Sequence, residues 1–253
     1  MKLNDKVIVV TGGASGMGKA MVEEFLKKDA KVVAVDINEE RLSELAGEAA
    51  TANLITLAAD ISKKETNEKM IELAIDKFGR LDVLVNNAGV LDDYMNAAEM
   101  TDEVWDRVLQ INLTAPMYAT RKAINYFLKN SIEGNIINVG SVGSLHGSRG
   151  GAAYVSTKHA LAGFTKNTAQ AYGRNNIRCN LIAPGAVDTN IAESVHPETM
   201  NKKGLDVLMA GIGTNIRNGK SEEIATIASF LASEESSLIN GAIIVADAGW
   251  TAY

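Results

Sequence analysis

The chain has 253 residues, 46% of them apolar, enough for one α/β domain with a sizeable core and too many for a disordered chain. Its 25 Lys and Arg against 31 Asp and Glu leave a net charge of −6, which repels phosphate backbones and argues against nucleic-acid binding. The single cysteine excludes a disulfide framework and a Cys-rich zinc site, and no apolar run nears the ~20 residues of a membrane span. Residues 1–10 hold one short apolar run, less than a secretory leader carries. The expectation is a cytoplasmic protein with neither nucleic acid nor membrane as partner.

Val7-Ile8-Val9-Val10 opens a repeating pattern of short apolar runs. Others follow at 32–35, 54–57, 83–85, 136–139, 177–182 and 243–245. Runs without polar alternation suit strands buried on both faces of a parallel sheet. Helical stretches separate them. Ser62-Lys63-Lys64-Glu65 reads as a capping box, with Gly79 as the stop of the helix that follows. Thr101-Asp102-Glu103 and Ser221-Glu222-Glu223 each place a cap and two acids at a helix start. The rhythm predicts one Rossmann-type α/β domain over 1–253, a doubly wound parallel sheet of about seven strands with helices on both faces. Residues 187–218 lack a clear period, so a partly helical excursion over the sheet's carboxyl edge is expected there.

Thr11-Gly12-Gly13-Ala14-Ser15-Gly16-Met17-Gly18 follows the first run and opens a helix. Glycines permit a tight turn and a close approach to a pyrophosphate, and the helix start supplies free N–H groups. The spacing is Gly-x3-Gly-x-Gly rather than the common Gly-x-Gly-x-x-Gly, so placement after a strand carries the nucleotide reading. Asp36 ends the second run, where an acid accepts both ribose hydroxyls of an adenosine, with Ile37 beside it. The same Asp36 also reads as the cap of the next helix. A carboxylate there repels a 2′-phosphate, and no Lys or Arg occupies 14–17 or 37–38. NAD is therefore favoured over NADP, with Lys19 and Arg41 the cations nearest in sequence.

Tyr154 and Lys158 stand four apart, which on a helix puts both on one face. A free phenol has a pKa near 10, and an ammonium beside it favours the phenolate. A fall of roughly three units corresponds to about 4 kcal/mol. Ser141 follows the run at 136–139, at the strand end where doubly wound sheets bind ligands. Asn86-Asn87-Ala88-Gly89 follows the run at 83–85 on the same edge. Asn112 falls inside a long helix after Thr101, where an Asn costs propensity and hints at a local task.

With these motifs in order, the chain resembles the short-chain dehydrogenase/reductase family over essentially its full length. The residues that carry the resemblance are Thr11 to Gly18, Asp60, Asn86 to Gly89, Asn112, Ser141, Tyr154, Lys158, Pro184-Gly185 and Thr189. It implies a catalytic set of Asn112, Ser141, Tyr154 and Lys158. Tyr154 would be the general acid–base group and Ser141 would hold the substrate oxygen. Lys158 would lower the phenol pKa and bind the nicotinamide ribose, and Asn112 would anchor a proton-relaying water. The cofactor set would be Gly12, Ser15, Gly16, Met17, Gly18, Asp36 and Ile37 on the dinucleotide's turn and ribose. Asp60 and Ile61 would meet the adenine, Asn87, Ala88 and Gly89 the adenosine ribose side, and Val187 and Thr189 the carboxamide. No metal is implied, and the three histidines share no ligand spacing.

The implied reaction moves a hydride between a nicotinamide and a secondary alcohol or ketone. A 3-oxoacyl-thioester reductase is the alternative, though Ser15 and Met17 supply no basic residue for its usual NADPH. A non-catalytic NAD sensor is a third reading, disfavoured by the intact four-residue set. Apolar residues of the excursion (Val195, Met200, Leu205, Val207, Leu208, Met209, Ile212) face Leu91, Met95 and Leu145 as candidate pocket walls. Small residues of the Tyr154 helix fit either its own sheet or a subunit interface, and the resemblance implies a homotetramer. The ending Trp250-Thr251-Ala252-Tyr253 is expected to dock on a neighbouring subunit. Cys179 reads as buried. His146 reads as a pocket border or an exposed loop residue, His159 as structural or interfacial, and His196 as solvent-exposed. Ser144 is a second candidate hydroxyl, and Asp92 and Asp93 read as a solvated loop or a rim of the site.

Overall fold

Each apolar run is a strand: β1 (Val7–Thr11), β2 (Lys31–Asp36), β3 (Leu54–Ala58), β4 (Val83–Asn86), β5 (Asn135–Val139), β6 (Arg178–Pro184) and β7 (Ile243–Ala246). The computed structural model describes residues 1–252. The strands form one parallel sheet in the order β3-β2-β1-β4-β5-β6-β7. The chain first winds one way from β1 and then returns to β4 on the other side, so a crevice opens at the carboxyl ends of β1 and β4.

Helices α1 (Gly16–Leu26), α2 (Glu39–Ala49), α3 (Lys64–Phe78), α4 (Asp102–Leu109), α5 (Ala115–Asn130), α6 (Ala152–Tyr172), α7 (Lys202–Ile212) and α8 (Ser221–Ala232) complete the layers. Period-two alternation divides the strands between two cores. Ile8 and Val10 with Val32 and Ala34 pack beneath Phe25 of α1, Leu45 of α2 and Leu231 of α8. Val7 and Val9 with Val33 and Val35 face Ile71 of α3 and Phe127 of α5. A buried amide ladder ties the centre of the sheet to the helices: Asn86 Nδ2 donates to Asn138 Oδ1 at 2.8 Å, and Asn138 Nδ2 to Thr165 Oγ1 of α6 at 2.8 Å.

The helix ends match the sequence in two cases, Gly79 closing α3 in left-handed backbone and Thr101 opening α4, and differ in two. Thr101 caps α4 by accepting from the Val104 N–H. Ser62 does not cap α3. Its N–H and hydroxyl both turn back to the Asp60 carboxylate, at 2.8 and 2.7 Å, and Lys63 occupies the cap. A local carboxylate is the stronger acceptor, and it removes the serine from helix service. Likewise α8 begins one residue earlier than expected. The Lys220 N–H donates to Glu223 Oε2 at 2.9 Å while Ser221 turns to the Asp188 carbonyl.

The excursion is partly helical as expected. A 3-10 turn at Asn190–Ser194 precedes α7, and a bridge between Val187 and Gly219 closes its base. The tail corrects its expectation at Trp250, which is 3% exposed within its own chain. The indole Nε1 donates to the Gly211 carbonyl and to Thr214 Oγ1, both at 3.0 Å, and Arg149 stacks 4.2 Å above the ring. An indole with both its face and its N–H satisfied locally has no need of a neighbour. The remaining aromatic of that tail, Tyr253, lies outside the described residues.

Cys179 sits in β6 without exposure, and burial pushes its thiol up to about 12. A buried, protonated thiol is inert. A thiol reagent such as Ellman's is expected to titrate no cysteine in the native protein and one after denaturation; rapid native labelling would contradict the buried placement.

Candidate active site

The crevice at the carboxyl ends of β1 and β4 holds a cleft of about 390 Å³. It gathers Gly12, Ser15, Gly16, Met17, Asp36, Ile37, Asp60, Ile61, Asn87, Ala88, Gly89, Tyr154, Lys158 and Thr189, all of them expected from the sequence. Gly18, Asn112, Ser141 and Val187 do not line it. Gly18 lies beneath it, where an added Cβ would collide with the Gly12 carbonyl, so its task is to let α1 close on the turn. Val187 packs on the core under α1 and α8.

The glycine turn is built for a close ligand. Gly12 and Gly16 have positive φ values of 64° and 49°, a region that favours glycine. A Cβ on Gly12 would come within 3.0 Å of the Ala88 Cα. Asn87 Nδ2 staples the turn by donating to the Thr11 and Gly12 carbonyls at 2.9 and 3.2 Å. Its Oδ1 is buried with no hydrogen-bond partner among the described residues. Thr11 Oγ1 accepts the N–H groups of Asn87 and Ala88, each at 3.1 Å. The residues present therefore fit a dinucleotide: a cradle without side chains, the N–H groups at the start of α1, and an orphaned amide oxygen.

Asp36 does not cap α2. Asn38 does, accepting the Arg41 N–H at 2.9 Å, while Asp36 accepts the Asn38 and Ala14 N–H groups at 3.0 and 3.1 Å. One carboxylate thus ties β2 to the glycine turn and keeps spare lone pairs toward the cleft. The two cations near enough in sequence to bind a 2′-phosphate are engaged elsewhere. Lys19 pairs with Glu48 at 2.6 Å, and Arg41 with Glu193 at 3.0 Å. Ile37 is 75% exposed at the rim, an apolar face open to a flat ring.

The four polar groups converge at the far end of the cleft. Tyr154 and Lys158 lie one above the other on α6, both buried, with Lys158 Nζ 5.6 Å from the phenol ring centre. Lys158 Nζ donates to the Val139 carbonyl at 2.9 Å. The Ser141 hydroxyl faces the phenol and favours its ionised form. It also accepts the Gly143 N–H at 3.0 Å. Ser144, the second candidate, spends its own hydroxyl on the Ser141 N–H at 3.2 Å. Asn112 differs from expectation in its setting: it lies not within a regular helix but at the centre of a π turn, Gln110–Thr114. Pro116 has no N–H to return to residue 112, so the regular ladder cannot close there. Asn112 then pairs with Val90 twice, Oδ1 from its N–H and Nδ2 to its carbonyl, both at 2.9 Å.

Burial governs the titration of this group. It pushes the Tyr154 phenol up to about 12, with the Ser141 hydrogen bond opposing and the charge of Asp92 and the Tyr94 phenol adding. It pushes Lys158 down from 10.5 to about 8. The expected fall of the phenol pKa drew on the ammonium together with an oxidised nicotinamide; in the protein by itself desolvation of the phenolate is the larger effect.

Sequence reasoning undervalued Asp92 and Asp93, which are both fully buried. Asp92 accepts the Gly151 and Tyr154 N–H groups at 2.9 and 2.8 Å. Asp93 accepts the His196 N–H at 2.9 Å, its Nδ1 at 3.2 Å and the Thr199 hydroxyl at 2.7 Å, so His196 anchors the excursion rather than merely facing solvent. Acidic pairs in a polar loop look solvated in sequence; only their distant N–H partners reveal them. His146 and His159 are exposed, the latter with its Nδ1 placed to donate to the Val155 carbonyl of its own helix at 3.0 Å. Among the expected pocket walls, Leu91 and Met95 are buried while Leu145, Val207 and Met209 are 42%, 49% and 52% exposed.

Below pH 8 the folded chain holds a buried ammonium that the unfolded chain would hydrate. The two to three units by which its pKa falls correspond to about 3 kcal/mol of destabilisation. The sign follows: the unfolded state binds more protons between about 8 and 10.5, so the penalty fades as pH rises through that window. Lys158→Met is expected to stabilise the cofactor-free protein at pH 7 by ~1–3 kcal/mol in urea melts. The gain is expected to vanish toward pH 10, and a pH-independent difference would contradict it.

Comparison with known proteins agrees with this geometry. The family model for short chain dehydrogenases matches residues 6–200. A 3beta-hydroxysteroid dehydrogenase 2 of Eggerthella lenta is 41% identical over 99% of this chain and 96% of that protein. A 3-oxoacyl-(acyl-carrier-protein) reductase of Thermotoga maritima is 36% identical over 98% of this chain and 99% of that protein. Among solved structures, a 3-ketoacyl-(acyl-carrier-protein) reductase of Brucella melitensis complexed with NADH superimposes with a TM-score of 0.86 at 34% identity, covering 99% of this chain and all of that one. A levodione reductase superimposes at 0.87 and 31% identity, with 99% of each chain covered. The chain belongs to the short-chain dehydrogenase family and is an oxidoreductase acting between CH–OH and C=O groups.

Proposed function

We propose that the protein is an NAD(H)-dependent dehydrogenase of apolar secondary alcohols and the matching ketones, with Tyr154 as its general acid–base residue. The observation that carries this reading is the buried stack of Lys158 beneath Tyr154, with Ser141 facing the phenol, in a glycine-cradled cleft. The nicotinamide, when bound, supplies the hydride chemistry and, oxidised, a positive charge beside the phenol. Gly12, Ser15, Gly16, Met17 and Thr189 would hold its phosphates and carboxamide side, with Val187 at the base of the same segment. Asp36 and Ile37 would take the adenosine ribose, and Asp60, Ile61 and Asn87 to Gly89 the rest of that nucleoside.

In reduction Tyr154 gives its proton to the substrate oxygen as negative charge builds there, and Ser141 fixes that oxygen beside it. In oxidation the phenolate takes the alcohol proton. Lys158 stabilises whichever form carries the negative charge, and Asn112, locked by Val90, holds the proton path at the rear of the ammonium. NAD is favoured over NADP because Asp36 faces the cleft while Lys19 and Arg41 are both neutralised by glutamates. The exposed apolar surface of Leu145, Val207 and Met209 suits a ring-bearing substrate, in keeping with the hydroxysteroid dehydrogenase relative. The 3-oxoacyl-thioester reading is supported by the two reductase relatives. We propose further that the protein works in the cytoplasm as a homotetramer. One face of α6 leaves Ala160, Gly163 and Ala171 exposed while Ala153, Ala162 and Ala169 pack on the sheet, which supports an interface there.

A panel of steroids, cyclic ketones, sugars and acetoacetyl thioesters, read by nicotinamide absorbance, separates these substrates; no turnover of any alcohol or ketone would refute the reading. Tyr154→Phe is expected to leave nucleotide affinity within about twofold and to lower kcat by at least ~10³-fold. Retained turnover would remove Tyr154 from the reaction. NADH is expected to exceed NADPH by at least about tenfold in kcat/KM, some 1.4 kcal/mol; equal values would overturn the role given to Asp36.

A further inference from the structure

We propose that Asp92 is the positioning residue of this site. Its buried carboxylate clamps the first turn of α6 so that Tyr154 stands beside Ser141, and its charge biases the phenol toward the protonated, proton-donating form. The proposal rests on the reading of Tyr154 as the acid–base group.

Asp92 follows β4 by six residues and has no exposure. Its Oδ1 accepts the Gly151 N–H at 2.9 Å and its Oδ2 the Tyr154 N–H at 2.8 Å. The N–H groups of Asp92 itself and of Tyr94 also point to it. Four backbone donors on two oxygens suit an ionised carboxylate, which has only acceptors. Residue 151 is the helix's cap position, and its own side chain offers nothing, so α6 receives its cap from a distant loop. The approach leaves no space: a Cβ on Gly151 would lie 2.5 Å from both carboxylate oxygens. The Ala152 N–H adds a third tie to the same loop, donating to the Met95 carbonyl at 2.8 Å. The first turn of α6 is thereby pinned through three N–H donors, those of residues 151, 152 and 154, and the last of them belongs to Tyr154 itself.

Among the described residues no cation pairs with the charge that does the pinning. Arg107 of α4 lies 3.8 Å from Asp93 and donates to the Leu91 carbonyl, and His196 also engages Asp93. Arg149, in the loop before α6, stacks on Trp250. What stabilises Asp92 is the N–H set and the positive end of the α6 dipole. Tyr154 itself is faced by Ser141 from the turn after β5, by Lys158 from its own helix, and by Asp92 and Tyr94 from the loop after β4. The phenol thus lies between a cation one turn deeper and an anion at the helix start. The cation favours loss of the proton and the anion retention, so the pair sets where the phenol titrates.

The test uses Asp92→Asn in the full chain, which keeps size and one acceptor oxygen while removing the charge. Nucleotide affinity is expected to stay within about twofold. Removing an anion stabilises the phenolate, so the acid limb of alcohol oxidation and the alkaline limb of ketone reduction are both expected to move to lower pH, by about half a unit or more. Limbs that superimpose on those of the parent, whatever happens to kcat, would overturn the proposal, because a purely structural cap does not move them. If Asp92→Asn does not fold, Asp92→Ser carries the same comparison with a shorter acceptor. Ultraviolet difference titration of the phenol, each protein minus its Tyr154→Phe counterpart, reads the same shift without turnover. A parent protein inactive on every alcohol and ketone would refute the dehydrogenase reading, while an unmoved tyrosinate midpoint would refute this one.

Discussion

An ammonium and a phenol buried one turn apart on α6 are the constraint around which the structure is organised. Neither group is comfortable there: burial drives the lysine toward neutrality and the tyrosine away from its phenolate. Lys158 spends one N–H on the Val139 carbonyl at the end of β5, and Ser141 just beyond the same strand faces the phenol and favours its ionised form. The helix and the strand end must therefore keep a fixed distance. The Asn86–Asn138–Thr165 ladder, a few residues below, is the tie that keeps it. A polar network of this kind is favourable only when every member is satisfied, which rewards one arrangement of β4, β5 and α6 over its neighbours.

The cleft beside this pair follows from winding rather than from any single side chain. Reversal of the chain between β1 and β4 leaves no helix crossing above their carboxyl ends. Into that gap project a glycine turn, the 86–89 amide turn and the 189–194 segment. Each is held by its neighbours: Asn87 staples the glycine turn, Asp36 ties it to β2, and Arg41 reaches across to Glu193. Several residues that would touch a nucleotide are thus already committed to shaping the backbone that receives it. Pre-organisation of that sort lowers the entropy lost on binding.

Two neighbouring aspartates show how a loop can serve two elements at once. Asp92 looks toward α6 and holds its first turn, whereas Asp93 looks the other way and holds the excursion through His196 and Thr199. Successive side chains point apart, and Asp93 and Tyr94 adopt left-handed backbone to permit it. The segment that would cover a substrate and the helix that would protonate it are therefore moored to adjacent residues of one loop.

Local chemistry in the sequence was sufficient for the strands, the glycine turn, the Tyr154–Lys158 spacing and the placement of Ser141 and Asn87 on one edge, because period, glycine and the 3.6-residue turn act over short distances. Helix starts at Ser62 and Ser221 were misread because their hydroxyls had competitors: Asp60 two residues away, and Asp188 from another segment. Asn112 was visible as an oddity, but its task of pairing twice with Val90 is set by a distant strand end, and the burial of Trp250 depends on Arg149 and Gly211. What tertiary structure alone decided was the electrostatics. Whether Asp92, Asp93, Arg41 and Lys158 are solvated, paired or desolvated is set by partners distant in the chain, and a charge's free energy depends on its surroundings more than on its identity.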